Sequence, residues 1–143
     1  MREILFRAKR LDNGEWVEGY YYRGTFSNEL KTYIKQNAID NDEGKLFRYD
    51  INYEVDTNTL CQYTGLTDKN GLKIWENDIL KANLDEDFAE NTTYEWVKWY
   101  ESGFYTYEDN SLVSILDIWD TENFAVCGNV FDNPELLGSN SAS

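Results

Sequence analysis

Short polar turn signals divide this chain into runs of five to ten residues, and that spacing constrains its fold more than any other feature. Asn-Gly pairs stand at 13–14 and 70–71, and polar clusters interrupt the chain at 40–44, 56–59 and 101–103. Asn-Gly accepts the positive φ angles that tight hairpins require. The runs between the turns are rich in aromatic and β-branched residues, which favour strands. The sequence therefore predicts a mainly β fold with little helix.

The predicted strands follow these turns in order, and the run Leu30–Ala38 fits either a strand or a short helix. Thr64-Gly65-Leu66 is expected to break a strand, and Asn133–Leu137 to form a short capping turn. The other predicted strands are Ile4–Ala8, Trp16–Arg23, Leu46–Val55, Leu60–Tyr63, Leu72–Ile74, Ile79–Ala82, Thr93–Tyr100, Phe104–Tyr107, Leu112–Trp119 and Phe124–Val130.

The length of 143 residues and the 41% hydrophobic content suit one domain or two small subdomains. We predict an N-terminal β-hairpin or meander subdomain over 1–58 and a C-terminal β subdomain over 59–137. The segment IWENDILKA, with the later strand and SGF, resembles a small SH3-like barrel at the level of pattern. The small-residue tail 138–143 is expected to be disordered.

The chain carries no signal for secretion or membrane insertion that we recognise. Its longest apolar runs fall short of the ~18 residues that a membrane-spanning helix needs. The opening MREILFRAKR has charges on both sides of a short apolar run, unlike the long apolar region of a signal peptide. We therefore expect a cytoplasmic protein with no membrane partner.

The absence of histidine from all 143 residues limits the available chemistry. It removes Ser-His-Asp and Cys-His catalysis and the commonest ligand of transition metals. Cys61 and Cys127 lie in strand-like runs, without the cationic surroundings that activate a thiol, and are interpreted as structural. No phosphate-binding glycine motif is present. We therefore predict no enzyme activity and no cofactor.

The charge is strongly negative and uneven along the chain. The formal net charge is -14; residues 1–81 hold 14 acidic and 12 basic side chains, whereas 82–143 hold 13 acidic side chains and only Lys98. Such a chain repels phosphate backbones, so direct nucleic-acid binding is not expected. The acidic half could simply keep the protein soluble, or it could meet a basic protein partner. The candidate partner-binding residues here are Asp85, Glu86, Asp87 and Glu90.

Consecutive tyrosines at 20–22 predict a second surface. In a strand, three adjacent side chains must show both faces, so at least one face is expected to be covered by another element or another subunit. Aromatic side chains can also stack nucleic-acid bases, but that mode needs a cationic groove. Tyr20 and Tyr22 are therefore candidate partner-binding residues of a homo-oligomer.

Three carboxylates, Asp68, Glu76 and Asp78, crowd the central segment QYTGLTDKNGLKIWENDIL, which runs from Gln62 to Leu80. Such oxygens could bind a divalent cation or act as an acid/base pair. The same residues stand at turns, where a short carboxylate accepts hydrogen bonds from nearby backbone N–H groups. We expect turn formation and no metal, and keep the three as weak metal candidates.

Three blocks resemble the YopX family in order and spacing, from Arg2 to Leu137: REILFRAK, the central QYTGLTDKNGLKIWENDIL, and GNVFDNPELL. The resemblance implies a β-rich fold, a bacteriophage or prophage origin and an intracellular location in a bacterial host cell, and it implies no activity. Two positions depart from the family pattern. Lys9 stands where the family usually has Trp, and Asn77 replaces a Gly, although Asn is the best non-Gly residue at positive φ.

Three hypotheses about function follow. The first is a non-enzymatic protein-interaction module, self-associating and with an acidic C-terminal half. The second is a metal-dependent enzyme that uses carboxylates only, around Asp68, Glu76 and Asp78. The third is an acidic mimic of DNA that inhibits a host nucleic-acid-binding protein.

Overall fold

The computed structural model of the chain describes residues 4–83, 92–108 and 111–137. The chain is mainly β and forms two compact units, an N-terminal unit (Met1–Gln62) and a C-terminal unit (Tyr63–Ser143). Within the described ranges, none of the helices has the length and apolar character needed to cross a membrane. The predicted tail 138–143 lies outside the described residues.

The N-terminal unit is an antiparallel sheet with the strand order β4-β3-β2-β1. Its strands are β1 (Phe6–Lys9), β2 (Trp16–Phe26), β3 (Glu29–Asp42) and β4 (Lys45–Val55). The first two residues of β5 (Cys61–Thr67) pair with β1. An isolated bridge between Arg10 and Val55 joins the two ends of the sheet at its base, so the sheet curls. Ala8, Ile34 and Val55 form the core within it.

The C-terminal unit is built on an antiparallel sheet with the order β10-β9-β8-β7-β11. Its elements are β6 (Lys73–Trp75), which pairs with β5, then β7 (Asp78–Asn83), β8 (Thr92–Tyr100), β9 (Gly103–Glu108), β10 (Ser111–Ile115), the helix α1 (Ile118–Asn123) and β11 (Ala125–Asn129). Its core contains Ile74, Leu80, Ala82, Val97, Phe104, Leu116 and Phe124. The SH3-like description of this unit stays a prediction.

Some sequence-based boundaries were wrong. The polar cluster at 40–44, predicted to interrupt the chain, is strand through Asp42 and turns only at Glu43 and Gly44. Two further differences have local reasons. The predicted strand Leu112–Trp119 ends at Ile115, because the Asp117 carboxylate accepts hydrogen bonds from the N–H groups of Trp119 and Asp120 and starts α1. The segment 64–66, predicted to break a strand, continues β5 through Thr67 with an irregular register against β6. The ambiguous run Leu30–Ala38 is a strand within β3.

The turn chemistry of the sequence is confirmed where positive φ angles are needed. Asn77 has a φ of 71°, and Gly71 of the Asn-Gly pair has a φ of 84°. Gly19 is needed for a different reason. A Cβ atom at that position would lie 2.3 Å from the Lys35 carbonyl oxygen, so only glycine lets β2 and β3 approach here.

Candidate interaction surface

The outer parts of β3 and β4 extend past the rest of the N-terminal sheet as a two-stranded ribbon. The pairing between β2 and β3 runs from Phe26–Glu29 to Tyr20–Lys35, and beyond Lys35 the described residues of β3 pair with β4. We call residues 36–42 and 45–51 the arm. Its tip is a two-residue turn in which Glu43 and Gly44 have φ angles of 49° and 82°. Two consecutive positive φ angles match the twist of antiparallel strands, so the hairpin stays regular to its tip.

One face of the arm continues the buried face of the N-terminal sheet. Side chains alternate between faces along a strand, and the register pairs Ile34 with Tyr53 in the core. On β4, Ile51 lies two residues beyond Tyr53 on the same face, and Tyr49 lies four residues beyond it, opposite Ala38. Phe47 follows two residues after Tyr49. We call Ala38, Phe47, Tyr49 and Ile51 the apolar arm face; Gln36 and Asp40 lie on the same side, opposite Ile51 and Phe47.

The apolar arm face is open to solvent at its outer end. Phe47 is 50% exposed and Tyr49 is 47% exposed, whereas Ile34 on the same face is fully buried. A hollow of about 490 Å³ lies at this part of the arm, lined by Asn37–Ile39 and Arg48–Asp50. Covering large exposed aromatic side chains with another apolar surface is favourable, so these residues mark a candidate binding surface.

The opposite face of the sheet carries two ion pairs, at and below the base of the arm. Lys35 Nζ lies 3.7 Å from an Asp50 carboxylate oxygen, and Lys31 Nζ lies 3.5 Å from Glu54. Both pairs are exposed, where such contacts contribute little to stability. The same face also carries Ile39 and Leu46, which are 63% and 68% exposed, so the ion pairs and the aromatic row distinguish the two faces, whereas exposed apolar residues occur on both.

The candidate residues Tyr20 and Tyr22 lie on the side of the sheet that carries the ion pairs. Tyr22 stacks on Tyr33 with ring centroids 5.2 Å apart, and its hydroxyl lies 2.9 Å from Asn52 Oδ1. Tyr20 is 54% exposed. Their role in binding a partner stays a prediction, and so does that of Asp85, Glu86, Asp87 and Glu90, which lie outside the described residues.

Asp68 organises the turn that follows β5. Its Oδ1 accepts hydrogen bonds from the N–H groups of Asn70 and Leu72, and its Oδ2 accepts one from Val126, at 2.8–2.9 Å. The side chain is buried, so these three backbone donors replace the water that a carboxylate would otherwise bind. Asp68 thereby ties the turn to β11.

Asp78 closes the next turn. It is 1% exposed, and its Oδ2 accepts a hydrogen bond from the Trp75 N–H at 2.8 Å. Among the residues that the structure describes, no three His, Cys, Asp or Glu side chains are grouped so that they could hold a metal ion. The hydrogen bonds of Asp68 and Asp78 are consistent with the turn-forming role that the sequence predicts for the three candidates Asp68, Glu76 and Asp78.

Two further carboxylates, Glu95 on β8 and Asp120 on α1, are buried in the C-terminal unit. Burial raises the pKa of Glu95 to about 7, and the charges of Asp120 and Glu108 add to the rise, whereas a hydrogen bond with Thr106 opposes it. Glu95 Oε2 is buried and accepts no hydrogen bond from the described part of the protein. Burial also raises the pKa of Asp120, whose Oδ2 accepts the Asp117 N–H at 2.9 Å.

This carboxylate cluster was missed from the sequence, although a signal was present. Glu95 precedes Val97 by two residues on β8, so both side chains point to the same, core-facing side of the sheet. Asp117 and Asp120 have the spacing of a capping box, which places Asp120 at the first turn of a helix. With 5% of Glu95 exposed, a substrate would reach it only if β8 or α1 moved. The cluster therefore bears on stability more directly than on chemistry.

The two cysteines are free and occupy strands. Cys61 is buried at the start of β5, with Sγ 3.2 Å from the Thr59 carbonyl oxygen. Cys127 is half-buried in β11, and burial raises the pKa of its thiol. A raised pKa lowers the thiolate fraction, so this environment fits the structural interpretation.

Comparisons with known proteins agree with this architecture. No curated protein matches the chain. The crystal structure of protein EF1440 from Enterococcus faecalis is similar, with a TM-score of 0.64 and 24% identity over 96% of this chain and 99% of that one; at that identity the likeness shows the fold. The family model of the YopX protein matches residues 5–138. The chain therefore belongs to the YopX family.

Proposed function

We propose that this chain is a non-enzymatic protein-interaction module that binds a protein through the arm. The observation that carries the proposal is the continuity of the apolar arm face with the buried core face. Within one face of one sheet, the exposed fraction rises from 0% at Ile34 to 47% at Tyr49 and 50% at Phe47. From Tyr53 outward, Ile51, Tyr49 and Phe47 form an apolar row along β4, beside Gln36 and Asp40 of β3. Such a row is suited to being covered by an apolar surface.

The energetics of the arm support this function. A two-stranded ribbon without a packed face is marginally stable in water, and a third strand or a covering surface stabilises it. Phe47 and Tyr49 offer rigid aromatic surface, the type of side chain that contributes most at protein interfaces. Binding would therefore stabilise the arm and bury its aromatic residues in one step.

The charge of the protein supports a further part of the proposal, a basic partner for the acidic C-terminal half. A net charge of -14 attracts basic surfaces and speeds their association. The residues in question are Asp85, Glu86, Asp87 and Glu90. If charge reversal at these four positions left salt-dependent binding unchanged, the acidic half would have no part in binding.

Photo-crosslinking in the organism that encodes the chain tests the role of the arm. A benzophenone amino acid at Phe47 is expected to give a protein adduct of defined mass. The same probe at Leu72, which is 56% exposed in the C-terminal unit, serves as the matched control and is expected to give none. An absence of adducts at position 47, or the same adducts at both positions, would contradict the proposal.

A further inference from the structure

We propose that the free edge of β4 pairs in antiparallel fashion with the same edge of a second copy of this chain, centred on Tyr49. The inference rests on the proposed function and names its partner. It is argued from the direction of the backbone groups, the order of charges along β4 and the chemistry of the apolar arm face.

The outer edge of β4 has backbone groups available for a partner strand. β4 is the end strand of its sheet, with β3 on its inner side. At the base, the Leu11 N–H donates to the Glu54 carbonyl oxygen from the outer side, so the backbone groups of Glu54 point outward. Since the direction alternates along an antiparallel strand, Asn52, Asp50 and Arg48 also present their N–H and C=O groups to the outside.

A long edge of this kind is a template for another strand. Natural proteins protect edges with proline, bulges or covering elements. The pairing of β3 with β4 is regular from Thr32–Val55 to Asp42–Lys45, without a register shift. β4 itself contains no proline. From Lys45 to Asn52 this edge is therefore regular enough to accept a partner strand, whereas at the base the Leu11 N–H already bonds to the Glu54 carbonyl oxygen.

The charges on β4 select a register when the partner is the same strand. A two-fold axis at Tyr49 places Arg48 opposite Asp50 of the second copy, and Asp50 opposite Arg48 of the second copy. An axis at Arg48 or at Asp50 would instead place one of these charges opposite itself. Opposite charges across a strand pair are favourable and like charges are unfavourable. The sequence order Arg48-Tyr49-Asp50 thus fits self-pairing, because one two-fold axis satisfies both charges.

The same register matches the apolar arm face to itself. On that face Tyr49 meets Tyr49 of the second copy, and Phe47 meets Ile51 of the second copy. Aromatic pairs and aromatic–aliphatic pairs are favourable at such positions. Charge also permits the approach of two N-terminal units, since residues 1–62 carry 11 acidic and 9 basic side chains, and most of the net charge lies further along the chain.

Cysteine crosslinking of the full chain tests the register. Directly opposite residues that do not share hydrogen bonds have Cα atoms about 4.5 Å apart, within the range that a disulfide bridges. Tyr49→Cys is therefore expected to give a disulfide-linked dimer under mild oxidation. Phe47→Cys is the matched control, because it lies on the same strand and face, and its symmetry mate would be roughly 13 Å away. All variants also carry Cys127→Ser and keep Cys61. The chain with Cys127→Ser alone gives the baseline dimer yield.

We expect the dimer yield of Tyr49→Cys to exceed that of Phe47→Cys by roughly tenfold or more, given the steep dependence of disulfide formation on geometry. The double variant Phe47→Cys with Ile51→Cys is expected to restore crosslinking, because these two positions face each other across the axis. Equal yields for the two single variants, or no dimer from Tyr49→Cys together with none from the double variant, would overturn the inference.

The outcomes separate this inference from the proposed function. If the purified chain forms no dimer while Phe47 still crosslinks to a different protein in cells, the inference that the partner is a second copy is wrong. The proposed function as an interaction module is then still supported. If neither crosslink forms, both are wrong.

Discussion

Replacing Glu95 by Gln tests the electrostatic description of the C-terminal unit. The ionised carboxylate of Glu95 is unfavourable in the fold, because it is buried and its neighbours Asp120 on α1 and Glu108 on β9 are also acidic. A hydrogen bond with Thr106 favours the ionised form. Gln has nearly the same shape and carries no charge, so the substitution removes the charge and leaves the packing in place.

The direction of the pH effect follows from the raised pKa. The pKa of Glu95 is about 7 in the fold and 4.5 in its ordinary range, so between these values the folded chain holds a proton that the unfolded chain has released. The protonated Glu95 carboxyl contributes to the free energy of unfolding. This contribution is fully present below pH 4.5 and is lost as the pH rises through 7. At 1.36 kcal/mol for each unit, the loss approaches about 3 kcal/mol above pH 7.

Urea unfolding of the full chain, followed by tryptophan fluorescence at pH 5, 6, 7 and 8, measures this effect. Glu95→Gln is expected to leave the free energy of unfolding near that of the wild type at pH 5 and to raise it by about 2–3 kcal/mol at pH 8. Glu122→Gln, an exposed substitution on α1, is the control and is expected to change little. A pH dependence equal in the wild type and Glu95→Gln would refute the reasoning.

Further predictions concern turn chemistry, strand packing and metal ions. Asp68→Ala leaves three backbone N–H groups without their acceptor and is expected to cost about 2–4 kcal/mol of unfolding free energy. Asp56→Ala removes one such bond, to the Asn58 N–H, and should cost about 1 kcal/mol; equal costs would contradict this account. Gly19→Ala should cost about 1–3 kcal/mol in the same assay, whereas Gly24→Ala, whose Cβ would meet nothing closer than 4.0 Å, should not destabilise. Millimolar Mg²⁺ or Mn²⁺ should leave the melting temperature unchanged. A rise in melting temperature that Asp68→Asn abolishes would instead support the hypothesis of a metal-dependent enzyme that uses carboxylates only.

The sequence predicted the strands and turns well where local chemistry decides them. The alternation Tyr49, Ile51, Tyr53, Val55 marks β4, and Asn77 keeps a positive φ in a turn that the family usually builds with glycine. The sequence failed where a side chain in one element sets the conformation of the next. Ile118 and Trp119 resemble a strand by residue type, and only the cap at Asp117 turns them into a helix.

The candidate surface needed the structure because it depends on where strands end in relation to their neighbours. Periodicity shows that Phe47, Tyr49 and Ile51 share a face, and it cannot show that the pairing of β2 with β3 stops at Lys35 and leaves that face open. The same limit applies to Glu95. Its alternation with Val97 indicates an inward side chain, but its approach to Asp120 on α1 is a tertiary feature.

Sedimentation velocity of charge-exchanged chains tests the central claim, that the edge of β4 binds a second copy, most directly. Arg48→Glu places two acidic side chains opposite each other across the axis, and Asp50→Arg places two basic ones there. Each is expected to weaken the dimer by roughly 5- to 30-fold, since the axis repeats every cross-strand pair. The double variant exchanges the two charges and should recover the wild-type dimer. A wild-type chain that stays monomeric at high concentration, or a double variant that is as weak as the single ones, would contradict the account.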